Sequence, residues 1–267
     1  MAQLVELERG IWIQGLDENV GRQVESLCRV MEGNVADAVL ALAMFEQASA
    51  ASHHSAFGEG EWERDRALEQ RRREELEAQE PEVNGEWHGD RMTRLYERAK
   101  RDVVRAKWEA GELPRSYAHR LPFLHARTFL TSLAQLGRAM SEMTKLDTGA
   151  AETTSRKARD RFDAALPHVK PVRDSIEHAE DRMRGLGRDK KAMTLAPISN
   201  RMIEAPGGGV LVGDSLNNRH YGCTVDDGSY AEVEVSDETL EVAREAVQAI
   251  FDALPWRSGH RQFEPPS

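Results

Sequence analysis

Phe129-Leu130-Thr131-Ser132-Leu133-Ala134-Gln135-Leu136-Gly137-Arg138-Ala139-Met140 is the stretch that decides the fold. Phe129, Leu133, Leu136 and Met140 recur at intervals of three and four, which is the period of one helix face. Phe123, Leu124, Leu130 and Met143 extend the stripe over 123–146. A helix this apolar needs other helices to cover it. Aliphatic and methionine stripes of this kind are core material rather than cofactor boxes, and His125 near the start reads as a structural histidine.

Working outward, 17–57 carries Val20, Val24, Leu27, Val30 and Met31 at the same period. Past a weak point at Gly33-Asn34, Val35, Val39, Leu42, Ala43 and Phe45 continue the pattern. His53 and His54 close the segment. Adjacent histidines point to different sides of a helix, so they read as surface residues rather than metal ligands. Residues 91–110 repeat the pattern with Met92, Leu95, Tyr96, Ala99, Val103 and Trp108. Residues 152–186 add a further helical region, capped by Thr153 or Thr154 and divided by Pro167 and Pro171. A helix restarts near Pro171, because proline suits a first turn, and ends at Gly185 and Gly187.

The expected fold is mainly α: an antiparallel helical bundle with a small C-terminal antiparallel sheet and a final helix. The bundle spans 1–190 and uses the regions 17–57, 91–110, 123–146 and 152–186. Within it, 58–90 is a charged segment whose Arg71-Arg72-Arg73-Glu74-Glu75 run suits a solvated face, with 76–90 a mobile loop. Residues 191–255 form a β-plus-helix extension. Val210–Val212, Tyr221–Val225 and Tyr230–Val235 read as short strands, and Asp226-Asp227-Gly228-Ser229 has hairpin chemistry. Ser236 caps a last helix over 237–254, stopped by Pro255. The triple glycine at Gly207–Gly209 is a turn, since no Gly-Lys-Ser/Thr follows it. The tail 256–267 is expected to be disordered.

Composition narrows the function. The chain has 267 residues and a formal net charge of -10, which disfavours broad nucleic-acid binding while leaving a local basic site open. Cys28 and Cys223 are far apart and form no metal spacing, so free thiols in a cytoplasm are expected. No run approaches the roughly 20 apolar residues of a membrane span, so no membrane partner is expected. Met1 to Arg9 lacks the basic start of a secretory signal. HExxH, paired CxxC, GxSxG and kinase motifs are all absent, and neither a cofactor nor a metal is expected.

Pro171-Val172-Arg173-Asp174-Ser175-Ile176-Glu177-His178-Ala179-Glu180-Asp181-Arg182 carries the candidate chemistry. On a continuous helix, Asp174 and His178 lie one turn apart on the same face, with Arg173 on its flank and Arg182 continuing the stripe. Imidazole, orienting carboxylate and fixed cation are parts that acid–base work on a phosphodiester needs. Arg120/His125 and Arg161/His168 are looser versions, each with an apolar residue after the arginine and an internal proline.

An arginine, a polar residue and a histidine after a three-residue gap resemble the motif of the HEPN superfamily. Its members are helical-bundle proteins, many of them metal-independent ribonucleases of defence and toxin–antitoxin systems. The resemblance implies an RNA substrate, a homodimer with its two motif helices across a cleft, and in some systems an antitoxin partner. It makes His178 the general acid or base, Arg173 the group that stabilises the pentavalent phosphate, and Asp174 the residue that holds His178. The other reading is a non-catalytic helical interaction or structural module, in which Arg173, Asp174, Glu177 and His178 form a solvated, ion-paired face. The acidic balance favours that second reading. Arg173 and His178 facing one open groove is the arrangement that separates the two.

Overall fold

A computed structural model of the chain describes residues 5–56, 59–80 and 87–257. The helices are α1 (Glu18–Ala56), α2 (Glu59–Gln79), α3 (His88–Glu109), α4 (Arg115–Ala118), α5 (Leu121–Met143), α6 (Ala150–Ala165), α7 (Val169–Glu177), α8 (Ala179–Met183) and α9 (Asp237–Ala253). The strands are β1 (Ile198–Ser199), β2 (Glu204–Ala205), β3 (Ser215–Asn217), β4 (His220–Thr224) and β5 (Tyr230–Glu234). The protein is therefore mainly helical, with small antiparallel sheets and a closing helix. No helix among the described residues is long and apolar enough to cross a membrane.

The chain divides into two compact units, 1–46 with 123–267, and 47–122. In the first, the stripe on α5 is the centre of the core: Phe129, Leu130, Leu133, Leu136, Met140 and Met143 are fully buried. Val24, Met31, Leu42 and Phe45 of α1 join it, as do Phe162 of α6 and Val172 of α7. So do Tyr221 and Cys223 of β4, and Leu240, Val247, Ile250 and Phe251 of α9. The β-plus-helix region thus shares one core with these helices. α9 packs along α6, and α7 packs on β4 and β5.

β3, β4 and β5 make one antiparallel sheet in that order, with Leu216 opposite Tyr221 and Tyr221 opposite Val233. Its first strand is 215–217, not 210–212 as expected from the valines. Val212 only extends the pairing, through its carbonyl to the Thr224 N–H at 2.8 Å and its own N–H to Thr224 Oγ1 at 2.9 Å. Between β4 and β5, Gly228 has φ +88°, a conformation in which a side chain is strained, and its N–H bonds to Val225 O at 3.0 Å. Ser236 caps α9, accepting from the Thr239 N–H at 3.3 Å.

Two further boundaries differ from expectation. α6 begins at Ala150 after Gly149, so Thr153 and Thr154 lie inside it rather than capping it. The N-terminal segment clasps the end of α9: Ile13 bridges Trp256, and the Arg257 N–H donates to Trp12 O at 2.7 Å. Trp256 and Arg257 are therefore fixed, while 258–267 lie outside the described residues. The side chains of His53 and His54 do so as well.

In the second unit, α3 packs on α2. α2 stays helical through Gln79, where a mobile loop was expected from residue 76; 81–86 lie outside the described residues. The buried apolar contact is small, namely Leu76, Leu95 and Ala99. Ion pairs supply the rest. Arg72 meets Asp102 at 2.8 Å, Arg94 meets Glu80 at 2.7 Å, and Lys107 meets Asp65. Arg91, largely buried, donates to the Glu80 carbonyl at 2.6 Å and so caps the end of α2.

Candidate functional site

α7 is short and strongly sided. Val169 and Val172 turn into the core, and Pro171 sits in the first turn, where no backbone donor is needed. This packing carries Arg173 inward until it is only 3% exposed. Its guanidinium pairs with Asp174 at 3.1 Å and with Glu177 one turn on. Its Nε is buried without a hydrogen-bond partner. An isolated buried charge would be prohibitively costly, and the two carboxylates offset that cost.

The helix does not continue through His178. This residue has φ -114° and ψ 37°, ending α7 and preceding α8. Its backbone N–H still bonds to Asp174 O at 3.1 Å, but the face expected from a continuous helix is interrupted. The imidazole is exposed and makes no hydrogen bond or ion pair among the described residues. Asp174 pairs with Arg173, not with His178. Arg182, expected to continue the stripe, is buried and donates to Ser175 Oγ at 3.2 Å and Leu186 O at 2.7 Å. It holds the α7–α8 corner closed.

Arg173 and Asp174 border a cleft of about 570 Å³, within the range of small-molecule sites. α5 supplies Arg138 from one wall and α6 supplies Arg159 from another; Lys170 and Arg188 complete the cationic lining. Five cations therefore face three carboxylates, Asp163, Asp174 and Asp226. Arg159 pairs with Asp163 at 2.8 Å, and Arg188 with Asp226 at 2.9 Å. Arg138 and Lys170 are exposed and have no carboxylate partner among the described residues. Two cationic groups are thus left uncompensated at the mouth of a cleft in a chain of net charge -10.

Gly137 makes this crowding feasible. A Cβ there would lie 2.5 Å from Arg159 Nη1 and 3.1 Å from Phe162 Cε1, so its absence lets the guanidinium lie against α5. Arg159 also sits over the Phe162 ring at 5.8 Å. His178 is not among the residues that line the cleft. Of the three sequence-derived candidates, Arg173 and Asp174 come together in it and His178 stays outside.

Arg138, Arg159, Lys170 and Arg188 were not singled out in the sequence. They come from separate elements, and no fixed spacing relates them. The described residues contain no cluster of three or more His, Cys, Asp or Glu that could hold a metal ion. No protein-family model matches the chain, and neither a curated protein nor a solved structure is significantly similar to it.

Proposed function

We propose that the chain is a non-catalytic helical binding module whose Arg173 cleft takes a small phosphate-bearing anion. The supporting observation is the cationic surplus of that cleft, with Arg138 and Lys170 unpaired among the described residues beside a buried guanidinium. Guanidinium forks match phosphate oxygens in pairs, and an ammonium adds a point charge. The cleft lacks a proton-transfer group of the imidazole type, since His178 lies outside it. Thermal unfolding with inorganic phosphate and pyrophosphate tests this reading. The expected result is a saturable rise in Tm that Arg138→Glu with Lys170→Glu abolishes. No rise, or the same rise in the double variant, speaks against it.

A HEPN-like, metal-independent endoribonuclease of a defence or toxin–antitoxin system is the second reading. The observation that favours it is the exposed His178 imidazole, available to a second copy of the chain. In that reading a homodimer pairs His178 with Arg173 across its interface and acts on RNA. Mixed RNA incubated with the protein in EDTA decides it. Cleavage that disappears in His178→Ala supports the nuclease, and intact RNA removes it.

A further inference from the structure

We propose that the outer face of α3, with α4, binds single-stranded nucleic acid by stacking bases on Trp108 and Tyr117. Leu95 and Ala99 mark the face of α3 turned to α2, where Asp102 also reaches Arg72. Lys100, Arg101, Arg105 and Trp108 lie on the opposite side, all exposed. With Val104 and Tyr117 they line a groove of about 550 Å³.

Two features separate this groove from an ordinary solvated helix face. The first is the aromatic pair. Trp108 is 61% and Tyr117 52% exposed, and their rings lie 5.7 Å apart at 47°. Exposed aromatics are found elsewhere on the chain, but these two lie side by side, and a tilted pair offers an open ring face to a planar base. The second feature is the pattern of neutralisation. Arg94, Arg98 and Lys107 each hold a carboxylate. Lys100 and Arg105 hold none among the described residues, and Arg101 donates only to the Glu97 carbonyl. Glu97 is the one acid in the groove.

Three uncompensated cations beside two open aromatic rings fit the chemistry of single-strand binding. The cations follow the phosphates, and the rings take successive bases regardless of sequence. A duplex hides its base faces, so the rings would add nothing to duplex affinity. The surface is local, which reconciles it with the net charge of -10. It lies in the second unit and does not rest on the reading of the Arg173 cleft. The probes differ too, so failure of one proposal leaves the other standing.

The test is fluorescence anisotropy of a labelled 15-nucleotide single-stranded RNA, and of a duplex of equal length, with the full chain across a salt series. The expected result is salt-dependent binding that favours the single strand. Lys100→Ala with Arg101→Ala and Arg105→Ala should make the log K against log salt slope shallower by about 2, or roughly 0.7 for each lost phosphate contact. Trp108→Ala should weaken binding about tenfold at unchanged slope, and Trp108→Phe should restore most of it. All these side chains are exposed, and far-UV circular dichroism checks that the variants keep their fold. No binding, an unchanged slope in the triple variant, or equal duplex affinity indifferent to Trp108→Ala would overturn the proposal.

Discussion

The Nε of Arg127 on α5 donates to the Oη of Tyr221 on β4 at 2.8 Å, joining the central helix to the sheet through a fully buried ring. Asp214 pairs with the same guanidinium, and Phe123 meets the Tyr221 ring edge-on at 6.4 Å. Tyr221→Phe keeps the ring but removes the acceptor. The expected cost is about 1–2 kcal/mol, seen as a lower urea midpoint at unchanged m. An unchanged midpoint would show that the hydrogen bond contributes nothing net.

Stability should fall as pH rises above about 9, because buried acids must then ionise in the unfolded chain first. Burial pushes the thiol of Cys223 up to about 12 and that of Cys28 well above its usual range. Burial also raises the Tyr221 phenol to about 12. A group whose folded pKa is raised stabilises fully below its unfolded pKa and loses that contribution as pH rises towards the folded value. Urea midpoints at pH 7, 9 and 10.5 should therefore decrease in order, and less steeply in Cys28→Ala with Cys223→Ala. A flat profile would contradict this burial.

The same burial makes both thiols unreactive. Cys28 is 0% and Cys223 2% exposed. Labelling with a thiol-specific disulfide reagent should be slow in buffer and complete within the dead time in denaturant. Fast native labelling of either residue would mean that the core opens locally around it.

Ser236→Ala should cost about 1 kcal/mol, since the hydroxyl takes the Thr239 N–H at the start of α9. Denaturant titration reads this directly. The cap was legible from Ser236 and the apolar period that follows, as was the hairpin from Asp227-Gly228. Both signals are local, and local residue chemistry is enough to set them.

What the sequence concealed is non-local. No glycine or proline marks the break at His178, and the burial of Arg182 against Ser175 and Leu186 belongs to the tertiary fold. α2 looked solvated because Leu76 is its one fully buried apolar anchor and the rest of its docking uses charges that pair across the hairpin, such as Arg72 with Asp102. The cleft was invisible because Arg138, Arg159, Lys170 and Arg188 converge only once α5, α6, α7 and the segment after α8 are folded.

Leu76 is the apolar anchor of α2, 1% exposed against Leu95 and Ala99. Leu76→Ala should cost the hairpin about 2–5 kcal/mol. Hydrogen exchange should quicken across 59–109 while α5 and α9 keep their protection. Uniform loss of protection would mean that the two units unfold as one.

The most direct test of the central claim is calorimetric titration of pyrophosphate into the intact protein and into Arg138→Glu with Lys170→Glu. Both substituted side chains are exposed, so the fold should survive. The account predicts binding at one site per chain in the native protein and none in the variant. Absence of binding to the native protein, or undiminished binding to the variant, would contradict it.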